Sequence, residues 1–92
     1  MRDDYLPPAW GPAAWKFLHY CTHAYADAPS SQERQQAKSF FGLLQHMLPC
    51  QRCRLHYRTI YEKDMERVAR SEIRDPFESR DALVRWLIGV HN

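Results

Sequence analysis

Apolar residues recur at intervals of three and four along most of the chain, the spacing that places them on one face of an α-helix. A first helix is predicted from Pro12 to about Tyr25, with Gly11 as its N-cap and proline at its first position. Its apolar stripe consists of Ala14, Phe17, Leu18, Cys21 and Tyr25. This stripe predicts an amphipathic helix with one buried face.

A second helix is predicted to begin at Ser30, because the segment Ser30–Glu33 has the pattern of a capping box. It must stop or bend near Pro49, since proline cannot continue a helix. Its predicted buried side carries Phe40, Phe41, Leu44, Met47 and Leu48.

A third helix is predicted from about Cys50, with Cys53, Tyr57, Ile60 and Tyr61 facing inward. The charged segment 62–75 fits either an extension of this helix or a loop. A last helix begins at Asp75–Pro76 or at Ser79, and its two stripes are Leu83, Leu87 and Val90, and Val84, Ile88 and His91. We therefore predict one all-α domain over residues 1–92, a four-helix bundle with or without a short fifth helix.

Charge and composition narrow the range of partners. The 92 residues carry 13 Lys and Arg against 11 Asp and Glu, a net charge of +2. Segment 62–75 mixes both signs, so the sequence shows no patch of one sign for nucleic acid or an anionic membrane. No signal peptide and no apolar run near the roughly 20 residues of a membrane span are visible. We expect neither nucleic acid nor membrane as a partner, and these features leave the compartment open.

The motif Cys50-Gln51-Arg52-Cys53 is the first candidate for chemistry. As a structural staple it would be weak, because closing so short a loop contributes only about 2 kcal/mol. A redox role has a direct basis, since a helix N-terminus and nearby Arg52, Arg54 and His56 favour the reactive thiolate. A lone C-x-x-C is shared by redox and metal sites, so both remain open at this point.

Zinc is the alternative for this motif. Cys50, Cys53 and His56 have C-x2-C-x2-H spacing, and His19 with His23 could supply a second pair. Structural zinc sites generally use paired knuckles, whereas these histidines lie inside a predicted helix. The alternative function is thus a small zinc-stabilised helical domain that binds a protein partner.

Two further clusters resemble the walls of a pocket for a flat aromatic cofactor. Gly11, Trp15 and His19 follow one another at i, i+4 and i+8 along the first helix. The second cluster, on the last helix, consists of Trp86, Ile88, His91 and Asn92. Taken singly, each of these residues fits an ordinary place in a core or at a polar helix end. No G-x-G-x-x-G fingerprint is present, so a flavin here would be held by helices.

Three motifs then occur in a characteristic order: Trp10–His19 (WGPAAWKFLH), Leu48–Tyr57 (LPCQRCRLHY) and Trp86–Asn92 (WLIGVHN). They resemble W-G-x3-W-x2-L-H, P-C-x2-C-x2-H-[FY] and W-x4-H-N of the Erv/ALR family of flavin-linked sulfhydryl oxidases. The resemblance extends over nearly the whole chain. The bare domain looks most like the short oxidases of large DNA viruses, for which the host cytoplasm or the virion would be the location.

The resemblance implies a helical bundle that binds FAD and forms a homodimer through its first two helices. It implies oxidation of client protein dithiols, with oxygen as the final acceptor and hydrogen peroxide as the product. Cys53 would lie against the flavin, and Cys50 would exchange with the client. The implied cofactor-binding residues are Gly11, Trp15, His19, Cys53, His56, Trp86, Ile88, His91 and Asn92, and no residue is assigned to a metal.

The chain departs from the family pattern in two places. It has no second, shuttle cysteine pair, so we expect electrons to enter directly at Cys50, and we interpret Cys21 as a small buried apolar residue. The family pattern normally continues beyond His91-Asn92 with a further asparagine and a basic residue. The domain is therefore either truncated at its C-terminus or different from the family there.

Overall fold

The computed structural model describes residues 4–92 and shows four α-helices and no strand within that range. The helices are α1 (Pro7–Ala24), α2 (Ser31–Met47), α3 (Gln51–Ala69) and α4 (Arg80–His91), and a 3-10 turn (Pro76–Glu78) precedes α4. The predicted all-α class is confirmed. The short fifth helix corresponds to the 3-10 turn.

Helix α1 begins five residues before the predicted start. Its first turn contains Pro7 and Pro8, and Leu6 is the N-cap without a side-chain hydrogen bond. Proline is tolerated there because the first amides of a helix have no intrahelical acceptor. Pro12 therefore lies inside the helix, where its missing N–H removes one main-chain hydrogen bond. The prediction of Gly11 as N-cap was wrong because the earlier proline pair starts the helix.

Helix α2 begins and ends as predicted. The Ser30 hydroxyl accepts from the Glu33 N–H at 3.1 Å, and the Glu33 carboxylate accepts from the Ser30 N–H at 3.0 Å, which completes the capping box. Phe41 is buried and Leu44 and Leu48 are half-buried, but Phe40 and Met47 are 41% and 68% exposed. The buried face is thus narrower than predicted. Phe40 and Met47 share the outward side with Leu43, at spacings of three and four.

The charged segment that the sequence left undecided is divided between helix and turn. Helix α3 continues to Ala69 and ends with Ser71 at φ 58°, in the left-handed region usually occupied by glycine. The Ser71 N–H bonds to the Val68 carbonyl at 2.9 Å, and the Glu72 N–H bonds to the Arg67 carbonyl at 2.8 Å. This pair of bonds is a Schellman motif, which satisfies the last carbonyls of the helix.

Both predicted starts of the last helix exist as separate caps. The Asp75 carboxylate accepts from the Phe77 N–H and opens the 3-10 turn, whereas the Ser79 hydroxyl accepts from the Ala82 N–H and opens α4. Phe77 is 2% exposed, so the 3-10 turn inserts an aromatic ring into the core.

The four helices pack as two pairs, α1 against α4 and α2 against α3, with the 3-10 turn against α4 and α2. The core consists of Leu18, Phe41, Tyr57, Tyr61, Phe77, Leu83 and Leu87. Tyr57 joins the second pair, because its hydroxyl donates to the Phe41 carbonyl at 2.6 Å. Across residues 4–92, none of the helices combines the length and hydropathy that a membrane span needs.

Candidate functional site

The two cysteines of the C-x-x-C motif lie together at the N-terminus of α3. Cys50 is the N-cap, and its sulfur accepts a hydrogen bond from the Cys53 N–H at 3.3 Å. Cys50 is buried and Cys53 is half-buried, and both are free thiols. The sequence places them so because Pro49 ends the preceding segment and Cys50 has the extended backbone of a cap.

The two thiols differ in pKa because their environments differ. The pKa of Cys50 lies below that of an ordinary cysteine, chiefly because the Cys53 thiol and the Cys53 N–H both donate hydrogen bonds to its sulfur. The N–H of Arg52 acts in the same direction, while burial and the Asp4 carboxylate act against it. The pKa of Cys53 is raised to about 11, first by burial and then by its hydrogen bond to Cys50 and the charge there.

The expected preference for thiolate is therefore confirmed in direction for Cys50 and wrong for Cys53. Main-chain donors at the helix N-terminus lower the pKa of Cys50, together with the neighbouring thiol. The Arg54 guanidinium is instead bound to the Leu48 carbonyl and the Asp4 carboxylate. Of the two thiols, Cys50 is therefore the one that ionises more readily.

Cys53 also lines a cavity of about 280 Å³ between the helices, near the lower end of the range for small-molecule sites. Its walls are mainly apolar, with His56 and Arg52 among the few polar groups. Four predicted cofactor residues lie on this cavity: Gly11, Trp15, Cys53 and His56. Cys50 is not among the lining residues, so the two sulfurs face different surroundings.

Gly11 widens this cavity at the α1 wall. It is buried, yet among residues 4–92, apart from its chain neighbours and the adjacent helix backbone, the one atom within 4 Å of a Cβ built on it is the Pro7 Cβ, at 3.8 Å. Ordinary packing within the chain therefore does not require a glycine here. The absent side chain leaves room on the cavity wall, which fits the close approach of a flat ring.

His19 and His91 meet beside Trp15 and join α1 to the last turn of α4. The His19 Nε2 and His91 Nδ1 atoms are 3.1 Å apart, and the His91 ring stacks on the Trp15 ring at 4.0 Å and 10°. Burial lowers the pKa of His19, and the nearby His91 and His23 lower it further. One ring nitrogen donates to the other when both imidazoles are neutral. The family resemblance predicts both residues at the cofactor, which stays a prediction because neither is among the residues that line the cavity, and their direct contact was not predicted.

Trp86, Ile88 and Asn92 lie outside the lining of the cavity. Trp86 packs among Phe41, Tyr61 and Phe77 and donates its indole N–H to an Asp64 oxygen at 3.0 Å. Ile88 is 46% exposed, and Asn92 is exposed with its N–H bonded to the Ile88 carbonyl. Their role toward a cofactor stays a prediction.

The structure adds cavity residues that sequence reasoning did not assign to a site: Pro7, Trp10, Leu44, Leu48, Ile60 and Val90. Leu44, Ile60 and Val90 belong to predicted inward stripes, so helical spacing already signalled their orientation. Nothing in the sequence marked Asp64 as the acceptor for Trp86, because the two residues lie on different helices.

The zinc alternative receives no support from this geometry. Within residues 4–92 no group of three or more His, Cys, Asp or Glu side chains is arranged to hold a metal ion. The two cysteines therefore lack the further ligands of a structural zinc site.

Comparison with known proteins gives consistent results. The chain is 29% identical over 92 residues to the FAD-linked sulfhydryl oxidase ERV2 of Saccharomyces cerevisiae, covering 100% of this chain and 42% of that protein. It is 29% identical over 87 residues to the probable FAD-linked sulfhydryl oxidase R368 of Acanthamoeba polyphaga mimivirus, covering 94% and 56%. The chain thus spans about half the length of these curated relatives.

The fold also matches a solved structure. The crystal structure of the yeast Erv1 core superposes with a TM-score of 0.81 at 24% identity, over 98% of this chain and 69% of that one. The family profile described as "Erv1 / Alr family" matches residues 12–92. This range contains the dithiol, the α3 residues that line the cavity and the pair His19 and His91. The chain belongs to the Erv1/Alr family.

Proposed function

We propose that this chain is an FAD-dependent sulfhydryl oxidase that forms disulfides in client proteins. One observation carries the proposal: Cys53 lines an apolar cavity, while its partner Cys50 does not. A dithiol placed in this way has one sulfur for a cofactor and one for a client. The names of the relatives and the family membership support FAD as that cofactor.

Cys50 and Cys53 have different roles in thiol–disulfide exchange with the client. A client thiolate attacks the Cys50 sulfur of the Cys50–Cys53 disulfide, and Cys53 leaves with the electron pair and takes up a proton. The second client thiolate attacks the client sulfur of the mixed disulfide, and Cys50 leaves as a thiolate. The lowered pKa of Cys50 makes it a good leaving group in this step. The client has lost two electrons, and the enzyme dithiol has gained them.

The cavity fits the remaining half of the reaction. Gly11 and Trp15 provide an open, aromatic wall on α1, and Cys53 and His56 lie on α3. Gly11, Trp15, Cys53 and His56 would hold FAD, which would supply two-electron chemistry between the dithiol and oxygen, with hydrogen peroxide as the product. The half-buried thiol of Cys53, whose pKa is raised, must release its proton before it acts.

Absorption spectra test this assignment directly. We expect purified protein to be yellow and to consume oxygen with a small dithiol. Cys50→Ala should show a long-wavelength charge-transfer band, because a Cys53 thiolate remains beside the flavin, whereas Cys53→Ala should show none. A colourless preparation with stoichiometric zinc would contradict the oxidase proposal, and a band in Cys53→Ala would reverse the roles of the two cysteines.

The pH dependence of that band gives an internal check. The pKa of Cys53 is raised to about 11 by burial and, in part, by Cys50. Removal of the Cys50 thiol lowers it again, because a hydrogen-bond acceptor and a nearby negative charge disappear together. The band of Cys50→Ala should therefore grow as the pH rises, with a midpoint below 11.

We also propose a homodimer through α1 and α2. Both helices expose large apolar side chains, namely Phe17, Tyr20, Phe40, Leu43 and Met47, with exposures between 41% and 68%. Neighbouring apolar side chains of this size usually mark an interaction surface. Leu43→Glu should convert the dimer to a monomer in light-scattering measurements, whereas Leu55→Glu on α3 should not. A wild-type protein that is monomeric at high concentration would refute the dimer.

A further inference from the structure

Cys50 is a poorly accessible residue for the role proposed above. Cys50 is only 6% exposed, although the client must reach this sulfur from solvent. The cavity does not open onto it, since only Cys53 belongs to the lining. A route for the client to Cys50 must therefore lie elsewhere than in the cavity.

The segment 4–6, which we call the strap, lies next to the motif. The Tyr5 N–H donates to the Pro49 carbonyl at 2.7 Å, immediately before Cys50 in sequence. An Asp4 oxygen lies 3.6 Å from an Arg54 guanidinium nitrogen, one residue beyond the motif. The strap thus contacts the chain on both sides of the dithiol, and the negative charge of Asp4 is close enough to raise the pKa of Cys50.

The strap is held by main-chain and ionic contacts rather than by buried side chains. Tyr5 and Leu6 are 57% and 72% exposed. The Tyr5 carbonyl accepts from the Trp10 indole at 2.7 Å, which fixes the segment against α1. A peptide held by one main-chain bond and one partly exposed ion pair is readily displaced by another peptide that makes the same contacts.

Charge indicates what kind of peptide would do so. Unlike the mixed segment 62–75, on which the expectation of no one-sign patch was based, residues 34–61 contain five Lys and Arg and no Asp or Glu. A groove of about 280 Å³ continues from Arg54 past Gln51, Leu55 and Arg58. Both arginines of this groove are paired, Arg58 with Glu62 and Arg54 with Asp4 of the strap, so displacement of the strap frees Arg54 for an incoming carboxylate.

We propose that the strap occupies the docking site of the client, and that the client is an extended peptide with an acidic residue close to its reacting cysteine. The incoming peptide replaces the Tyr5 bond to the Pro49 carbonyl and the Asp4 carboxylate on Arg54. Displacement exposes the Cys50 sulfur, and the exchange proceeds with the bond changes given above. The inference rests on the proposed function for its reaction, but access to Cys50 can be measured without turnover.

The first experiment measures alkylation of Cys50 by iodoacetamide in the reduced, FAD-loaded protein, with peptide mass spectrometry to identify the modified cysteine. Asp4→Asn should increase the limiting rate at high pH by up to about fivefold, the factor that corresponds to one ordinary ion pair. The limiting rate reports access, whereas the lower pKa of Cys50 in this variant shifts only the midpoint of the profile. Asp27→Asn, in the loop at the far end of α1, is the matched control and should match the wild type.

The second experiment compares dithiol peptides that differ only in a glutamate or a lysine beside the cysteine. Wild-type protein should oxidise the glutamate peptide with the higher kcat/KM, by several-fold. Arg54→Gln should remove this preference, and Arg85→Gln, which deletes the same charge on α4, should retain it. Asp4→Asn should raise kcat/KM for the glutamate peptide, and this variant keeps the Arg54 bond to α2 intact.

The two hypotheses fail separately. If the wild type does not oxidise a small neutral dithiol, the proposed function is wrong. If it oxidises the small dithiol but treats both peptides alike, and Asp4→Asn leaves the limiting alkylation rate unchanged, the strap is not the client site.

Discussion

Replacement of Gly11 by alanine should have opposite effects on the flavin-free and the flavin-loaded protein. Within the part of the chain that the structure describes, a Cβ at this position meets the Pro7 Cβ at the ordinary contact distance of 3.8 Å and no other side chain within 4 Å. Alanine inside a helix is more favourable than glycine by about 0.5–1 kcal/mol. For a chain of this size, the Tm of flavin-free Gly11→Ala should therefore rise by about 2–8 °C.

With FAD bound, the same methyl group narrows the cavity wall. Each tenfold loss of affinity removes about 1.4 kcal/mol of the stabilisation that a saturating ligand provides. A tenfold loss already exceeds the gain in helix stability. The Tm of Gly11→Ala in excess FAD should therefore fall below that of the wild type under the same conditions.

Thermal unfolding with and without FAD, together with a flavin titration, tests both the expected rise in Tm without FAD and the expected fall with FAD. Gly89→Ala is the matched control, because Gly89 is an exposed residue of α4 whose Cβ position has no atom of the described residues within 4 Å. It should raise the Tm equally in both states. If Gly11→Ala also raises both Tm values and binds FAD like the wild type, Gly11 does not border the flavin. If it lowers the Tm of the flavin-free protein, the space inferred at the α1 wall does not exist.

Three further changes test the fold and the lone cysteine. Tyr57→Phe removes a 2.6 Å bond to a main-chain carbonyl of α2 and should lower the free energy of unfolding in urea by about 1 kcal/mol, and an unchanged midpoint would contradict the bond. Ser71→Gly removes the backbone strain of a serine at φ 58° and should raise the free energy of unfolding by about 1 kcal/mol, whereas a decrease would show that the serine is not strained. Cys21→Ala should retain most oxygen consumption with a small dithiol, since burial raises the pKa of this thiol and keeps it unreactive; complete loss of turnover in a folded variant would refute that view.

Local signals predicted most of the helical structure correctly. The capping box at Ser30 and the proline at position 49 determine the two ends of α2, because both act through neighbouring backbone groups. The start of α1 was predicted too late for a local reason as well. The sequence offered proline for the first helical turn at two places, Pro7-Pro8 and Pro12, and the earlier one begins the helix.

The site was predictable where it depends on one helix and not where it depends on how helices pack. Helical spacing placed Gly11 and Trp15 on one line, and both line the cavity. The contacts of His19 with His91, and of Trp86 with Asp64, join residues 72 and 22 positions apart. They depend on the docking of helix on helix, for which a single sequence holds no local signal.

The pairing of the helices has a consequence for the order of folding. Helices α2 and α3 are neighbours in sequence, whereas α1 and α4 come from opposite ends of the described chain and pair only after a long loop has closed. We therefore expect the α2–α3 hairpin to form in the transition state and the α1–α4 pair to dock later. Because residues of all four helices line the cavity, it is completed only by that last docking step. FAD should consequently slow unfolding while leaving the refolding rate unchanged, as expected for a ligand that binds only after the barrier has been crossed.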